Sequence, residues 1–215
     1  MTDAVSAHDG LTIGDDGLLR CFWQGGSPDY VRYHDEEWGM PVGDDRALYE
    51  KLCLEGFQAG LSWITVLRKR AAFREVFEGF DIERVAKFTD ADIDRIVTDA
   101  RIIRHRGKVA ATVNNARAVI ALREKQSCSF AHFLWQYEPD AASRPEKVTL
   151  TWLRANPVSP ASAQLSKALR KNGFNFVGPT TCYAFMQSMG FVNDHIDGCS
   201  CANTCETARL SFTRP

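Results

Sequence analysis

Residues 89–120, TDADIDRIVTDARIIRHRGKVAATVNNARAVI, decide the reading of the fold. Thr89 is a good N-cap, and Ile93, Ile96 and Val97 mark the apolar side of a short helix behind it. Val109, Val113, Ala116 and Ile120 follow at i, i+4, i+7 and i+11, which predicts a second, clearer helix. Arg101, Arg104, His105, Arg106 and Gly107 form a tight basic connection between the two. The unit is a helix, a hairpin turn and a helix. The second helix presents unpaired backbone N–H groups at its start, and Arg104, Arg106 and Lys108 stand beside them. Gly107 sits where a backbone must come close to a ligand, so the turn suits a phosphate contact that ignores base sequence. The alternative is an ordinary solvated charge run.

Helical signals continue on both sides. Asp44 and Asp45 are caps for a helix that places Leu48, Leu52 and Glu55 on one face and breaks at Gly60. Ser62 is the expected cap of a helix through Val66, Leu67, Phe73 and Phe77, and Asp81 caps a further short turn. Pro139, Pro145, Pro157 and Pro160 punctuate a mostly irregular stretch, with Trp152 and Leu153 on a short helix. A last helical pair covers residues 165–171 and 180–189. There is no fixed repeat and little of the alternation that strands need, so the expected class is all-α. The expected organisation is a mobile leader at 1–19, one subdomain from 20–65 with 130–205, a hairpin subdomain at 66–129 and a tail at 206–215.

A chain of 215 residues can bury a substantial core without a metal to make it compact. Lys+Arg of 26 against Asp+Glu of 27 argues against coating nucleic acid by bulk charge, so any DNA contact must rest on a local patch. No run of eighteen apolar residues occurs, and the N-terminus lacks a basic segment followed by an apolar one. A cytoplasmic protein is expected. Seven cysteines cannot all pair, and Cys53 and Cys182 fall within apolar helical patterns, where thiols act as small hydrophobes.

The informative cysteines lie near the ends. Cys21 and His34 come early, while His195 and Cys199 come late at H-x3-C spacing, which brings two side chains to one ion from a single turn. Two Cys and two His suit tetrahedral zinc. A buried thiol and a hydrogen-bonded surface histidine explain the early pair equally well, and Cys201 or Cys205 could replace Cys199 or be tail thiols. If four protein groups hold the ion, no position is left for water and the metal is structural.

Glu55 is the most telling residue, because a carboxylate on an apolar stripe pays for desolvation unless a cation or a hydrogen-bond donor meets it. Pairing with an arginine or capping a helix is the bland alternative. Trp63 lies just beyond the Gly60-Leu61-Ser62 break, and Trp23, Tyr30, Tyr33 and Trp38 cluster around His34. Aromatic faces and one acid together suit a flat cationic ring.

Cys-(x)12-His, YHDEEWG at 33–39, CLEG from Cys53, GLSWITVL from Gly60 and IIRHRGK from Ile102 together resemble the DNA-3-methyladenine glycosylase I family. LSKAL from Leu165, Gly173-Phe174, Phe176-Val177-Gly178 and Asn193-Asp194-His195 continue the likeness as far as Cys199. The resemblance implies a helix-hairpin-helix glycosylase fold and removal of 3-methyladenine from alkylated double-stranded DNA. Position by position it assigns Cys21, His34, His195 and Cys199 to zinc and Glu55 to recognition of the base. It assigns Trp63 to stacking, Trp23, Tyr30, Tyr33 and Trp38 to the pocket lining, and Gly60 with Leu61 to the turn that approaches the lesion. Phe57 departs from the Gln-Gln pair expected there, which bears on the neighbouring DNA contact.

Most glycosylases with this hairpin place an aspartate soon after it, yet none occurs between Asp99 and Asp140. That absence fits a cationic base, which leaves with little help. The expectation is a monofunctional, monomeric enzyme that flips the base, with zinc as its sole cofactor and no required protein partner. A non-catalytic zinc-stabilised DNA-binding module and a zinc hydrolase are the competing classes. The first gives Glu55 no reason to lie among aromatics, and the second needs an open metal position.

Overall fold

The computed structural model describes residues 9–215. Two short antiparallel strands, β1 (Leu11–Ile13) and β2 (Leu19–Cys21), open the described chain with Leu11 opposite Cys21. The remaining regular elements are helical. The helices are α1 (Pro28–Glu36), α2 (Asp45–Gln58), α3 (Trp63–Leu67), α4 (Arg70–Val76), α5 (Ile82–Val85) and α6 (Asp90–Val97). They continue with α7 (Arg106–Gln126), α8 (Phe130–Trp135), α9 (Leu150–Ala155), α10 (Pro160–Lys171), α11 (Pro179–Ser188) and α12 (Ala202–Ser211). None is long and apolar enough to cross a membrane.

Local chemistry sets most helix starts. The Asp44 carboxylate accepts the Ala47 N–H at 2.8 Å, Asp81 accepts from Arg84 at 2.9 Å, and Thr89 with Asp92 closes a capping box. His105 caps α7 by accepting the Lys108 N–H at 3.2 Å. The single helix expected behind Ser62 is instead two, α3 and α4, which meet at Arg68 and Lys69.

Helix α2 is the centre of the molecule and packs against α3, α7, α8 and α11. Surrounded on all sides, it buries every residue from Lys51 to Phe57, including two charges. One continuous core joins Leu52 and Phe57 of α2, Val109 and Val113 of α7, and Phe185 of α11. The hairpin unit and the segment formed by the chain ends therefore share their interior. Phe57 lies in this core with its ring 4.5 Å from that of Phe73, so its side chain is turned away from the surface where DNA would bind.

Both ends of the described residues carry more structure than expected. The leader expected through residue 19 holds β1, the turn after it and the first residue of β2, while residues 1–8 lie outside the described part. Leu11 packs with Cys21, Leu150, Ile196 and Cys199, a contact too distant in sequence to be foreseen. The Ser200 N–H donates to the Leu19 carbonyl at 2.8 Å, and the Leu19 N–H donates to Ser200 Oγ at 3.1 Å. The expected tail is likewise built in. It continues α12, and Phe212 lies against Trp135 with ring centroids 4.9 Å apart.

Candidate active site and metal centre

A cavity of about 390 Å³ opens between α1, α2, α9 and α11, within the size range of small-molecule sites. Trp23, Tyr30, Tyr33, Trp38, Glu55 and Trp63, all singled out from sequence, line it. Helix α1 supplies both tyrosines, which stand three residues apart on one face. Trp23 is the hub of the aromatic wall, with its ring 5.2 Å from Tyr30 and 4.9 Å from Trp38. Tyr33 and Trp63 meet at 5.4 Å. Burial and the nearby Glu55 charge push the Tyr30 phenol up to about 12, so its hydroxyl keeps its proton.

The polar floor is the informative part. Glu55 is only 4% exposed, and its Oε1 lies 2.7 Å from Lys51 Nζ one turn earlier. Its other oxygen, Oε2, is buried without a hydrogen-bond partner, and so is the indole N–H of Trp63. A native interior rarely leaves such groups unpaired, so two vacant valences at one cavity mark a place for a polar ligand. Lys51 also donates to Tyr33 Oη at 2.8 Å and sits 3.2 Å from the Trp63 ring centroid.

Sequence reading missed Lys51 although a signal existed, because a carboxylate on a buried stripe calls for a cation at i−4. It also missed the opposite wall, where α11 contributes Thr180, Tyr183, Ala184 and Gln187. No sequence signal marked that wall, since an apolar helix does not reveal which of its faces borders a void. Asp194 fixes it by accepting from Tyr183 Oη at 2.8 Å and Gln187 Nε2 at 2.7 Å, with Arg144 closing the group.

Behind Trp23 and Trp38 lies the Cys/His cluster. His34, His195, Cys199 and Cys201 each bring one donor atom within 4.8 Å of the others. Cys21 sits at its edge, where its Sγ accepts the Ile196 N–H at 3.4 Å and its own N–H points to His34 Nε2 at 3.4 Å. The imidazoles are held by their other nitrogens. His34 Nδ1 is 2.7 Å from Asp35 Oδ1, and His195 Nδ1 is 2.9 Å from Asn193 Oδ1. His195 Nε2 is left buried and without a partner. Burial pushes this imidazole down to about 4, so it is neutral and able to offer a lone pair.

The arrangement also discriminates among the cysteines. Cys199 Sγ approaches the Nε2 side of His34 at 3.6 Å, whereas Cys201 Sγ lies on the Nδ1 side at 3.9 Å and donates to Asp35 at 3.4 Å. Cys205 is buried and donates to the Gly39 carbonyl. Gly39 is needed there, because a Cβ would stand 2.6 Å from Cys205 Sγ and 3.1 Å from His195 Cε1.

The expected DNA-facing residues divide. Leu61 is 43% exposed beside Gly60, whose φ of +82° and open surroundings form a projecting turn. Arg104 and Gly107 are exposed. Arg106 is exposed but bonded to Asp94 at 2.8 Å, with Asp90 at 3.7 Å. Lys108 is a correction, because its side chain points inward rather than toward a phosphate. Its Nζ donates to the carbonyls of Phe57 at 2.9 Å and Ala59 at 2.6 Å, capping the end of α2. The first turn of α7 faces α2 on one side and solvent on the other, and the basic run alone did not reveal that division.

Residues 23–202 match the model of the methyladenine glycosylase family. The chain belongs to this family. It is 49% identical over 185 residues to DNA-3-methyladenine glycosylase 1 of Escherichia coli (strain K12), covering 86% of this chain and 97% of that one. A crystal structure of 3-methyladenine DNA glycosylase I superimposes with a TM-score of 0.78 at 48% identity, covering 85% of this chain and 98% of the other. A tyrosine-to-phenylalanine variant of 3-methyladenine DNA glycosylase I, solved in complex with 3-methyladenine, gives a TM-score of 0.71 at 36% identity. It covers 82% of this chain and 93% of that variant.

Proposed function

We propose that the protein excises 3-methyladenine from alkylated double-stranded DNA by hydrolysing the N-glycosidic bond, without cutting the strand. The observation that carries this reading is the unpaired Glu55 Oε2 at the wall of an aromatic cavity. An adenine methylated at N3 is flat, positively charged and carries an exocyclic amine. Aromatic faces and a carboxylate acceptor favour each of these properties, and neutral adenine gains less from both.

Flipping the base into the cavity costs a few kcal/mol of unstacking. The exposed Gly60-Leu61 turn is suited to filling the gap it leaves. As the C1′–N9 bond breaks, its electron pair passes to the base and cancels the positive charge. Water adds to C1′ and gives up a proton. Lys51 is buried and does not line the cavity, so this reading leaves the attack on the sugar to water. Arg104, together with the exposed start of α7 at Gly107, suits a phosphate contact. The hairpin then serves as the DNA-gripping element of a helix-hairpin-helix glycosylase. Arg106 joins if a phosphate displaces Asp94.

Cys21, His34, His195 and Cys199 form the ligand set we propose for zinc, with Cys21, beside His34 Nε2, in place of Cys201, whose Sγ lies on the Nδ1 side and is bonded to Asp35. Both imidazoles have Nδ1 engaged by an oxygen and Nε2 turned inward, the usual outer-shell arrangement of zinc-bound histidine. Four protein donors leave no place for water, so the ion supplies cohesion between the chain ends rather than a nucleophile. The reading is tested by release of free 3-methyladenine from methylated duplex DNA. The wild type releases it, Glu55→Gln does not, and equal release by both overturns the assignment of Glu55.

A further inference from the structure

Lys51 is a buried cation whose position bears directly on Glu55. Its three N–H directions are taken by Glu55 Oε1 at 2.7 Å, Tyr33 Oη at 2.8 Å and the face of Trp63 at 3.2 Å. It touches two residues that border the cavity through polar atoms and a third through its ring, yet does not itself line the cavity. It is therefore placed to act through its neighbours.

The charge movement of the proposed reaction makes that position matter. The base enters as a cation and leaves neutral, while positive charge grows on the sugar. A lone carboxylate against the base would stabilise the charge where it starts more than where it goes, which deepens the ground state and slows bond cleavage. The Lys51 ammonium opposes that trap. It cancels much of the Glu55 charge, and it draws on the Trp63 π electrons that would otherwise hold a stacked cation. Glu55 Oε2 remains free to accept a hydrogen bond.

We propose that Lys51 is a positioning residue that balances Glu55, so that the carboxylate recognises the methylated base without trapping its positive charge. The proposal rests on the reading of the cavity as the base site. Lys51→Met removes the charge, Lys51→Arg keeps it, and Lys51→Gln is neutral but can still donate to Tyr33 if the methionine variant does not fold.

Single-turnover excision from freshly methylated duplex DNA, with enzyme titrated against substrate, separates maximal rate from half-saturating concentration. In Lys51→Met or Lys51→Gln the maximal rate falls about tenfold, the scale expected for one charge acting across several ångströms. The half-saturating concentration falls as well, because the cationic lesion is held more tightly. Lys51→Arg restores most of the rate. Loss of rate with weaker binding and no rescue by arginine assigns Lys51 a merely structural role and overturns the proposal, as does an unchanged rate. Glu55→Gln in the same assay keeps the two readings apart. If it excises normally, the base-site reading fails; if it is inactive while the neutral Lys51 variants show no split, only the role of Lys51 fails.

Discussion

The aromatic cavity and the Cys/His cluster stand back to back, joined by the Trp38–His195 ring contact at 4.7 Å and the Trp23–His34 contact at 5.1 Å. Both bury polar atoms with unfilled valence, Glu55 Oε2 and Trp63 Nε1 in one and His195 Nε2 in the other. They differ in room and in freedom. The cavity has about 390 Å³ and a mouth, whereas the cluster has donor atoms within 4.8 Å and imidazoles locked by Asp35 and Asn193. Vacant valences beside an open volume suit a ligand that comes and goes. The same vacancies in a closed shell suit one that stays.

The contrast breaks most visibly if Glu55→Gln disturbs the wrong side. Single-turnover excision should fall by about a hundredfold or more, as for loss of one preorganised polar group in an active site. Metal content, measured by atomic spectroscopy, should not change. A loss of metal would show that the two regions are not separable.

The reciprocal change is Asp35→Asn, which loosens the grip on His34 Nδ1. Affinity for zinc, read by competition with a chromophoric chelator, should weaken by about ten- to a hundredfold. Excision with zinc in excess should stay within a few-fold of the wild type. A matching collapse of excision would place the cluster in the chemistry.

The open-versus-closed distinction extends to the hairpin, where Arg104 has no ion-pair partner among the described residues and Lys108 has two carbonyls. Arg104→Ala should weaken DNA binding and reduce the salt dependence by about one counterion in a fluorescence titration. Lys108→Met should leave that slope alone and lower stability by about 1–3 kcal/mol in a denaturant melt, since the buried Phe57 carbonyl and the partly buried Ala59 carbonyl lose their donor.

The smallest expected effect is a pH dependence within the cavity floor. The charged or titratable groups facing Lys51 are Glu55 on its own helix, Tyr33 of α1, Glu37 just beyond the end of α1, and Arg70 from α4. Burial lowers the Lys51 pKa to about 8 against the opposing pull of Glu55, so the side chain is a cation below that pH and neutral above it. If the cation aids bond cleavage, the maximal excision rate falls as pH rises through about 8, by less than about tenfold. Lys51→Arg, which holds its charge, should flatten that decline.

Much of the site was legible because helical periodicity is local. Leu48, Leu52 and Glu55 fall on one stripe whatever surrounds them, so a carboxylate among apolar residues could be read directly. Residues whose role depends on a distant partner were not legible. Lys108 resembles Arg104 and Arg106 in a basic run, and only the carbonyls at the end of α2 decide that it turns inward. Leu11 carries no strand signal until Leu150 and Ile196 give it something to bury against.

The sequence by itself determined the helical class, several of the capping residues, the acid on the apolar face and a set of Cys and His candidates near the two ends. Tertiary structure alone decided which imidazole nitrogen stays free, which cysteines share a side of His34, and how Lys51 comes to be caged by Glu55, Tyr33 and Trp63. The reason is range. Period and capping depend on neighbours a turn away, whereas the valence left open on a buried atom depends on everything packed around it.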